Sequence, residues 1–203
     1  SLTLDLGYQT LGLTAQDMGF NDNFLFRDLV VYNSSYPIDD KSLDDLAWSG
    51  VGQGRVLVTP LHMAMISGAV ANGGVMMTPH FYKSSKGDEK DWGEGERAIS
   101  EDAASQVTSC MQTVVSEGTG VGGAVDGYDV AGKTGTAERA DENGGYLKEN
   151  YMSSFMGFAP AQSPKVLCYI TLDGTPSGSD AAAVPFQSIM ANALDVLGIP
   201  HTR

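Results

Sequence analysis

The sequence predicts an α+β fold, an antiparallel sheet covered by helices. Three observations predict it. Three helical stretches have readable starts and stops. Three strand-like runs follow one another between the second and third of these helices, and the connections between the runs are short. Strands met in succession and joined this way pair as an antiparallel meander, and helices on either side of the run supply its cover. The 203 residues suffice for one domain with a sizeable core.

The first helix follows Thr59-Pro60, a capping residue and then a proline at the first helical position. Leu61, Ala64, Met65, Gly68 and Ala71 share a predicted face, whose small residues suit close packing, and Asn72-Gly73-Gly74 stops the helix. The second helix opens at Ser100, with Glu101 and Asp102 in the first turn, where the helix dipole favours acids. Ala103, Val107, Cys110, Met111, Val114 and Val115 recur at helical spacing before Gly118-Thr119-Gly120 ends it. The third begins near Pro185, carries Phe186, Ile189, Met190, Ala193, Leu194 and Leu197 on its apolar face, and stops at Gly198 and Pro200.

The predicted strands are Tyr128 to Ala137, Tyr151 to Ala159 and Lys165 to Leu172. A polar, glycine-containing loop from Glu138 to Asn150 joins the first two, and Pro160 and Pro164 bracket the turn into the third. Lys83 to Glu96, dense in charge, glycine and serine, is predicted to be a solvated loop.

Composition narrows the function classes. Hydrophobic residues make up 42% and charged residues 18%, an ordinary globular balance. A formal net charge of −13 argues against a phosphate-neutralising surface and hence against nucleic acid as a partner. No apolar run reaches membrane-spanning length, and the first residues, Ser1 to Gly7, neither form a signal segment nor resemble a native start. Cys110 and Cys168 form no ligand motif with the three histidines; both are expected to be small core residues, Cys110 on the apolar stripe of its helix, with a disulfide between them as the other reading. Met63, Met65, Met76 and Met77 are expected in core and strand packing. No metal-ligand cluster and no phosphate-cradling loop is visible.

Chemistry concentrates in Gly132-Lys133-Thr134-Gly135-Thr136-Ala137-Glu138, on the first predicted strand. A lysine-threonine-glycine tripeptide by itself says little, since chance places one in on the order of a few per cent of chains this long. Its surroundings say more. Leu6-Gly7 precedes Met18-Gly19-Phe20-Asn21; Ser49-Gly50-Val51-Gly52-Gln53-Gly54 follows; then Val58-Thr59-Pro60-Leu61-His62-Met63-Ala64, ending in Ala71-Asn72-Gly73-Gly74. Val114-Val115 with Gly118-Thr119-Gly120 precedes the motif strand, and Phe155-Met156-Gly157-Phe158-Ala159-Pro160 comes after it. Val184-Pro185-Phe186 to Leu197-Gly198 closes the chain.

These six blocks, in this order, resemble the penicillin-binding proteins, most closely the monofunctional division and elongation transpeptidases. The lysine-threonine-glycine tripeptide is a recognised signature of that family and of class A β-lactamases. The resemblance implies a penicillin-binding/β-lactamase-like transpeptidase fold, here incomplete, with residues 1–203 as its C-terminal portion. It implies acyl-serine chemistry on a D-alanyl-D-alanine stem peptide of peptidoglycan, or on a β-lactam. It implies that Lys133 presents an ammonium in the cleft, that Thr134 and Thr136 offer hydroxyls to the substrate carboxylate, and that the Thr136 N–H completes an oxyanion hole. Gly135 would let the substrate lie against the strand. Gly52-Gln53-Gly54 reads first as a tight turn into the following helix, with a supporting role at the cleft as the other reading. His62 stands where the family commonly has glutamine and is expected on the helix surface.

Two of the family's motifs are missing. No serine has lysine three places later, and none has asparagine two places later. The nucleophile is therefore expected outside this chain, which by itself should not acylate. The two N-terminal strands of the family's five-stranded sheet are expected to be missing too, leaving an edge open for self-association or exchange with a second copy. The resemblance further implies no cofactor and an extracytoplasmic location, tethered by an N-terminal anchor not in this sequence. The alternatives are a β-lactam sensor or β-lactamase-related domain, and a non-catalytic interaction module of the same fold.

Overall fold

Local signals start and stop the helices much as their residues dictate. In the computed structural model, which describes residues 2–22, 25–26, 29–37, 42–80, 84–85, 88–89, 95–141, 143–176 and 181–203, the chain opens with α1, Leu2–Asp17. Gly7 interrupts α1 with a left-handed φ of 73°, a conformation that costs glycine nothing. Two short antiparallel pieces follow, β1 (Leu25–Phe26) and β2 (Leu29–Val30). Helix α2, Leu43–Ser49, was not among the predicted elements; Ser42 caps it by accepting from the N–H groups of Asp44 and Asp45, and Leu46 is its buried anchor. Helix α3, Pro60–Ala71, starts where Thr59 accepts from the His62 N–H at 3.2 Å.

Past α3, β3 (Val75–Met76) pairs with β6 (Glu96–Arg97), and β4 (Ser84–Ser85) with β5 (Asp88–Glu89). The rest of the stretch predicted as the Lys83 to Glu96 loop lies outside the described residues, apart from Gly95. Helix α4, Glu101–Ser116, is capped by Ser100, which accepts from the Ala103 N–H at 3.1 Å. A single turn of 3₁₀ helix, Val121–Gly123, leads to the sheet.

That sheet has the order β7-β8-β9, antiparallel throughout, from β7 (Ala131–Ala140), β8 (Tyr146–Ala159) and β9 (Val166–Thr175). Its arms are longer than predicted at the hairpin. The turn tightens around Asp141, whose side chain accepts from the Asn143 N–H at 2.8 Å and whose carbonyl accepts from the Gly144 N–H at 3.0 Å. Conversely, Tyr128 to Val130 precede the first strand instead of opening it. The final helix, α5, spans Ala183–Val196.

The two faces of the sheet have different cover. On one, Phe155 packs against Phe186 of α5 with ring centroids 4.5 Å apart, and Met190, Leu194, Val125 and Val130 complete that core. On the other, Phe158 and Ala131 meet Val70 of α3, and the Leu167 methyl stands 4.0 Å from where a Cβ on Gly68 would be. Helix α4 passes the β7 side and contributes to both, Met111 to the α3 face and Val115 to the α5 face.

Four expectations about burial are corrected. Cys110 is exposed because the inward line of α4 is Ala104, Met111 and Val115; at 100° per residue Cys110 falls well off it, and Val107 lies on its flank. Cys168 packs against the α5-side core but is only half-buried, since β9 is an outer strand of the described sheet. His62 is not on the helix surface: only 1% of it is accessible. The α3 residues predicted to face inward are all half-buried, while His62, Ser67, Ala69 and Val70 are buried. Helix α3 is apolar nearly all round and is contacted on several sides, so no single stripe marks its inner face. The methionines are not core either: Met63, Met65 and Met76 are half-buried and Met77 is exposed.

Candidate active site

Strand register decides which motif residues share a face. Lys133 lies opposite Met156, Gly135 opposite Ser154, and Ala137 opposite Met152, and residues directly opposite in an antiparallel pair point the same way. These six floor a cleft of about 590 Å³, with Tyr169 of β9 beside Met156. Thr134, paired with Phe155, points to the opposite face, toward α5. β7 is the outer strand of the described sheet, with the end of α4 beside its first residues, and Thr134 and Thr136 border the cleft as well.

The wall facing the sheet comes from the end of α1 and from α2 and α3. Met18, Phe20, Tyr36, Ser49, Met63 and Ile66 line it. A chain of contacts makes this wall stiff. His62 Nε2–H donates to the Met18 carbonyl at 2.7 Å, which settles the tautomer, since a carbonyl cannot donate. The His62 ring packs on Phe20 with centroids 4.8 Å apart and the planes tilted by 58°, and Phe20 meets Tyr36 edge-on at 6.0 Å. Ser49 Oγ donates its one proton to the Leu46 carbonyl at 2.8 Å, so in the 2.8 Å contact between Tyr36 and Ser49 the tyrosine is the donor. Burial lowers the His62 pKa below its ordinary value, and the bond to Met18 only partly opposes this.

The block Gly52-Gln53-Gly54 is the tight turn read from the sequence, and two of its three residues border the cleft. Gly52 and Gly54 take left-handed φ values of 72° and 70°, and the Gln53 N–H donates to the Trp48 carbonyl at 3.0 Å. Gly52 and Gln53 line the cleft; Gly54 instead backs onto Trp48, 3.2 Å from where a Cβ would stand.

Within the motif, the Lys133 ammonium donates one of its three hydrogens to the Thr134 carbonyl at 2.6 Å. The Thr134 hydroxyl, on a residue only 9% accessible, lies 2.9 Å from the hydroxyl of Thr119. A Cβ on Gly135 would stand 2.5 Å from Ser154 Oγ, so the glycine leaves room that the serine already uses. Thr119 and Ser154 were not singled out as site residues. Thr119 was legible as part of a helix stop and of the block that precedes the motif strand, and Ser154 only through the two-residue period that it shares with Met152 and Met156.

A family model described as "Penicillin binding protein transpeptidase domain" matches residues 1–191. The chain belongs to that family. Among curated relatives, stage V sporulation protein D of Bacillus subtilis is 34% identical over 81% of this chain and 27% of its own length. The Neisseria meningitidis protein named "Probable peptidoglycan D,D-transpeptidase PenA" is 36% identical over 70% of this chain and 24% of its own. The chain thus spans about a quarter of the length of these relatives. Among solved structures, penicillin-binding protein 3 of Mycobacterium tuberculosis in complex with ampicillin superposes with a TM-score of 0.87 at 27% identity, over 98% of this chain and 48% of that one. The D,D-transpeptidase domain of a peptidoglycan glycosyltransferase from Eggerthella lenta gives 0.83 at 31% identity, over 98% and 50%. The α+β transpeptidase domain described above therefore has the penicillin-binding/β-lactamase-like fold.

Proposed function

We propose that this transpeptidase domain works in peptidoglycan D,D-transpeptidation as the C-terminal portion of a larger acyl-serine enzyme that also takes β-lactams. The single observation that carries the reading is the cleft itself, where Lys133 to Ala137 face the Gly52-Gln53 turn. The name borne by the Neisseria meningitidis relative, probable peptidoglycan D,D-transpeptidase, favours it over a sensor or an interaction module.

In this reading a stem peptide ending in D-alanyl-D-alanine lies along the open side of β7, as an added strand would. Its terminal carboxylate meets the hydroxyls of Thr134 and Thr136, and the Lys133 ammonium lowers the cost of negative charge in the cleft. The Thr136 N–H supports the oxyanion that forms on the attacked carbonyl. Gly52 and Gln53 shape the opposite lip. The attacking serine and its lysine belong to a part of the enzyme that lies outside this chain, and the enzyme acts on the outer face of the cytoplasmic membrane, tethered by an anchor that also lies outside it. No described helix is long and apolar enough to cross a membrane.

Fluorescent penicillin, read with intact mass, tests this reading. The present chain should carry no adduct, the longer natural protein should carry one, and Lys133→Ala in the longer protein should abolish most of it. An adduct on the present chain, or full labelling of the Lys133→Ala protein, would overturn the proposal.

For the present chain on its own we also propose self-association. No described strand pairs with the outer edge of β9, a ten-residue strand rich in strand formers. Light scattering should show association that grows with concentration; a monomer at every concentration would exclude it.

A further inference from the structure

We propose that Thr119 is a positioning residue that orients the Thr134 hydroxyl toward the substrate carboxylate; this rests on the role given to Thr134 above. The two hydroxyl oxygens are 2.9 Å apart, and one of them must donate. Each threonine hydroxyl has one proton and two lone pairs. If Thr134 donated to Thr119, it would present only lone pairs to a carboxylate, which also has only lone pairs. A productive carboxylate contact therefore requires Thr119 to donate and Thr134 to accept, which leaves the Thr134 proton for the ligand. A hydroxyl that already accepts a hydrogen bond is also the better donor.

The loop that holds Thr119 is built tightly enough for this. The N–H groups of Gly118 and Gly120 both donate to the Val114 carbonyl, at 3.1 and 3.0 Å, closing the chain back on the end of α4. A Cβ on Gly118 would stand 2.9 Å from the Val114 Cα, and one on Gly120 2.9 Å from a Val114 methyl. Neither neighbour of Thr119 can be larger without moving the loop. Below it, Val115 is buried in the core with Phe155, the cross-strand partner of Thr134. The end of α4 and the motif strand are thereby locked together, and Thr119 itself is exposed, so its methyl has little packing to lose.

The test uses the full-length protein and two acylating probes, a penicillin with a free carboxylate and its methyl ester. Thr119→Val keeps the shape and removes the proton; Thr119→Ser keeps the proton and trims the methyl. Thr119→Val should lower the second-order acylation rate by the free acid about fivefold, the size of one ordinary net hydrogen bond, and leave the slower ester reaction unchanged. Thr119→Ser should acylate at the parent rate. Equal losses with acid and ester, or a loss in Thr119→Ser that Thr119→Val does not show, would assign Thr119 to the scaffold and overturn the proposal. Thr134→Val separates the two levels. Slow acylation by the acid in Thr134→Val with a normal rate in Thr119→Val defeats the Thr119 inference alone. A normal rate in Thr134→Val defeats the carboxylate role of Thr134, and the inference with it.

Discussion

His62 of α3 donates from Nε2 to the carbonyl of Met18 at 2.7 Å, joining residues 44 apart in the chain across the back of the cleft wall. The imidazole is buried and neutral, and desolvation keeps its pKa below the ordinary 6.5. The unfolded chain then binds the proton more readily than the folded one. Stability contributed by His62 is full above 6.5 and is lost as pH falls from there through the lowered folded value. Thermal melts recorded from about pH 7.5 down to pH 5 should show this decline. His62→Gln, which keeps an N–H donor for Met18, should flatten this part of the profile. His62→Ala should cost about 2 kcal/mol at neutral pH, through the lost bond and the vacated volume. An unchanged pH profile in His62→Gln would show that another group titrates.

Gly157 sits where the sheet meets α5. A Cβ there would stand 2.8 Å from the Ala131 carbonyl oxygen and 2.8 Å from Phe186 Cζ. One of the contacts is to backbone, so the strain cannot be relieved by a rotamer change. Gly157→Ala should destabilise the domain by about 2–3 kcal/mol in chemical denaturation. A change under 0.5 kcal/mol would mean that the sheet and α5 are looser than described.

Tyr128 ties the last residues of the chain to the sheet layer. Its hydroxyl donates to the Ile199 carbonyl at 2.6 Å, and its ring meets His201 edge-on at 4.9 Å. Tyr128→Phe should cost about 1 kcal/mol and quicken proteolysis of the C-terminal segment, with the acylation rate unchanged.

The two cysteines should behave differently. Cys110 is exposed on α4, and burial pushes the Cys168 thiol above its ordinary pKa. A maleimide at neutral pH should modify Cys110 first and Cys168 only slowly, as peptide mapping over time would show. Equal rates would mean that β9 opens readily.

The hydrogen bonds that stop and start helices α3 and α4 were legible because they are local. Thr59-Pro60, Ser100, Asn72-Gly73-Gly74 and Gly118-Thr119-Gly120 act within a turn of their own positions, so the residues carry the signal themselves. Helix α2 was missed: it is seven residues long, too short for a periodic apolar pattern to stand out, although Ser42 caps it in the ordinary way. The hairpin arms were drawn too short because Arg139, Lys148 and Glu149 are polar on a stretch of sheet that extends beyond the core, where periodicity no longer reports burial.

At the site, the residues alone specified the chemistry available: an ammonium, two hydroxyls and a glycine on one strand, and a glycine-rich turn upstream. They also specified the family, through blocks whose order needs no coordinates. Which of these groups meet depended on how the elements pack. Pairing of β7 with β8 brought Ser154 over Gly135, and the packing of the end of α4 against β7 let a helix-stop threonine reach the motif. The same holds for His62, whose burial depends on Met18 and Phe20. Periodicity describes how a side chain points from its own element; what lies there depends on chain that arrives from many residues away, and no local pattern encodes that.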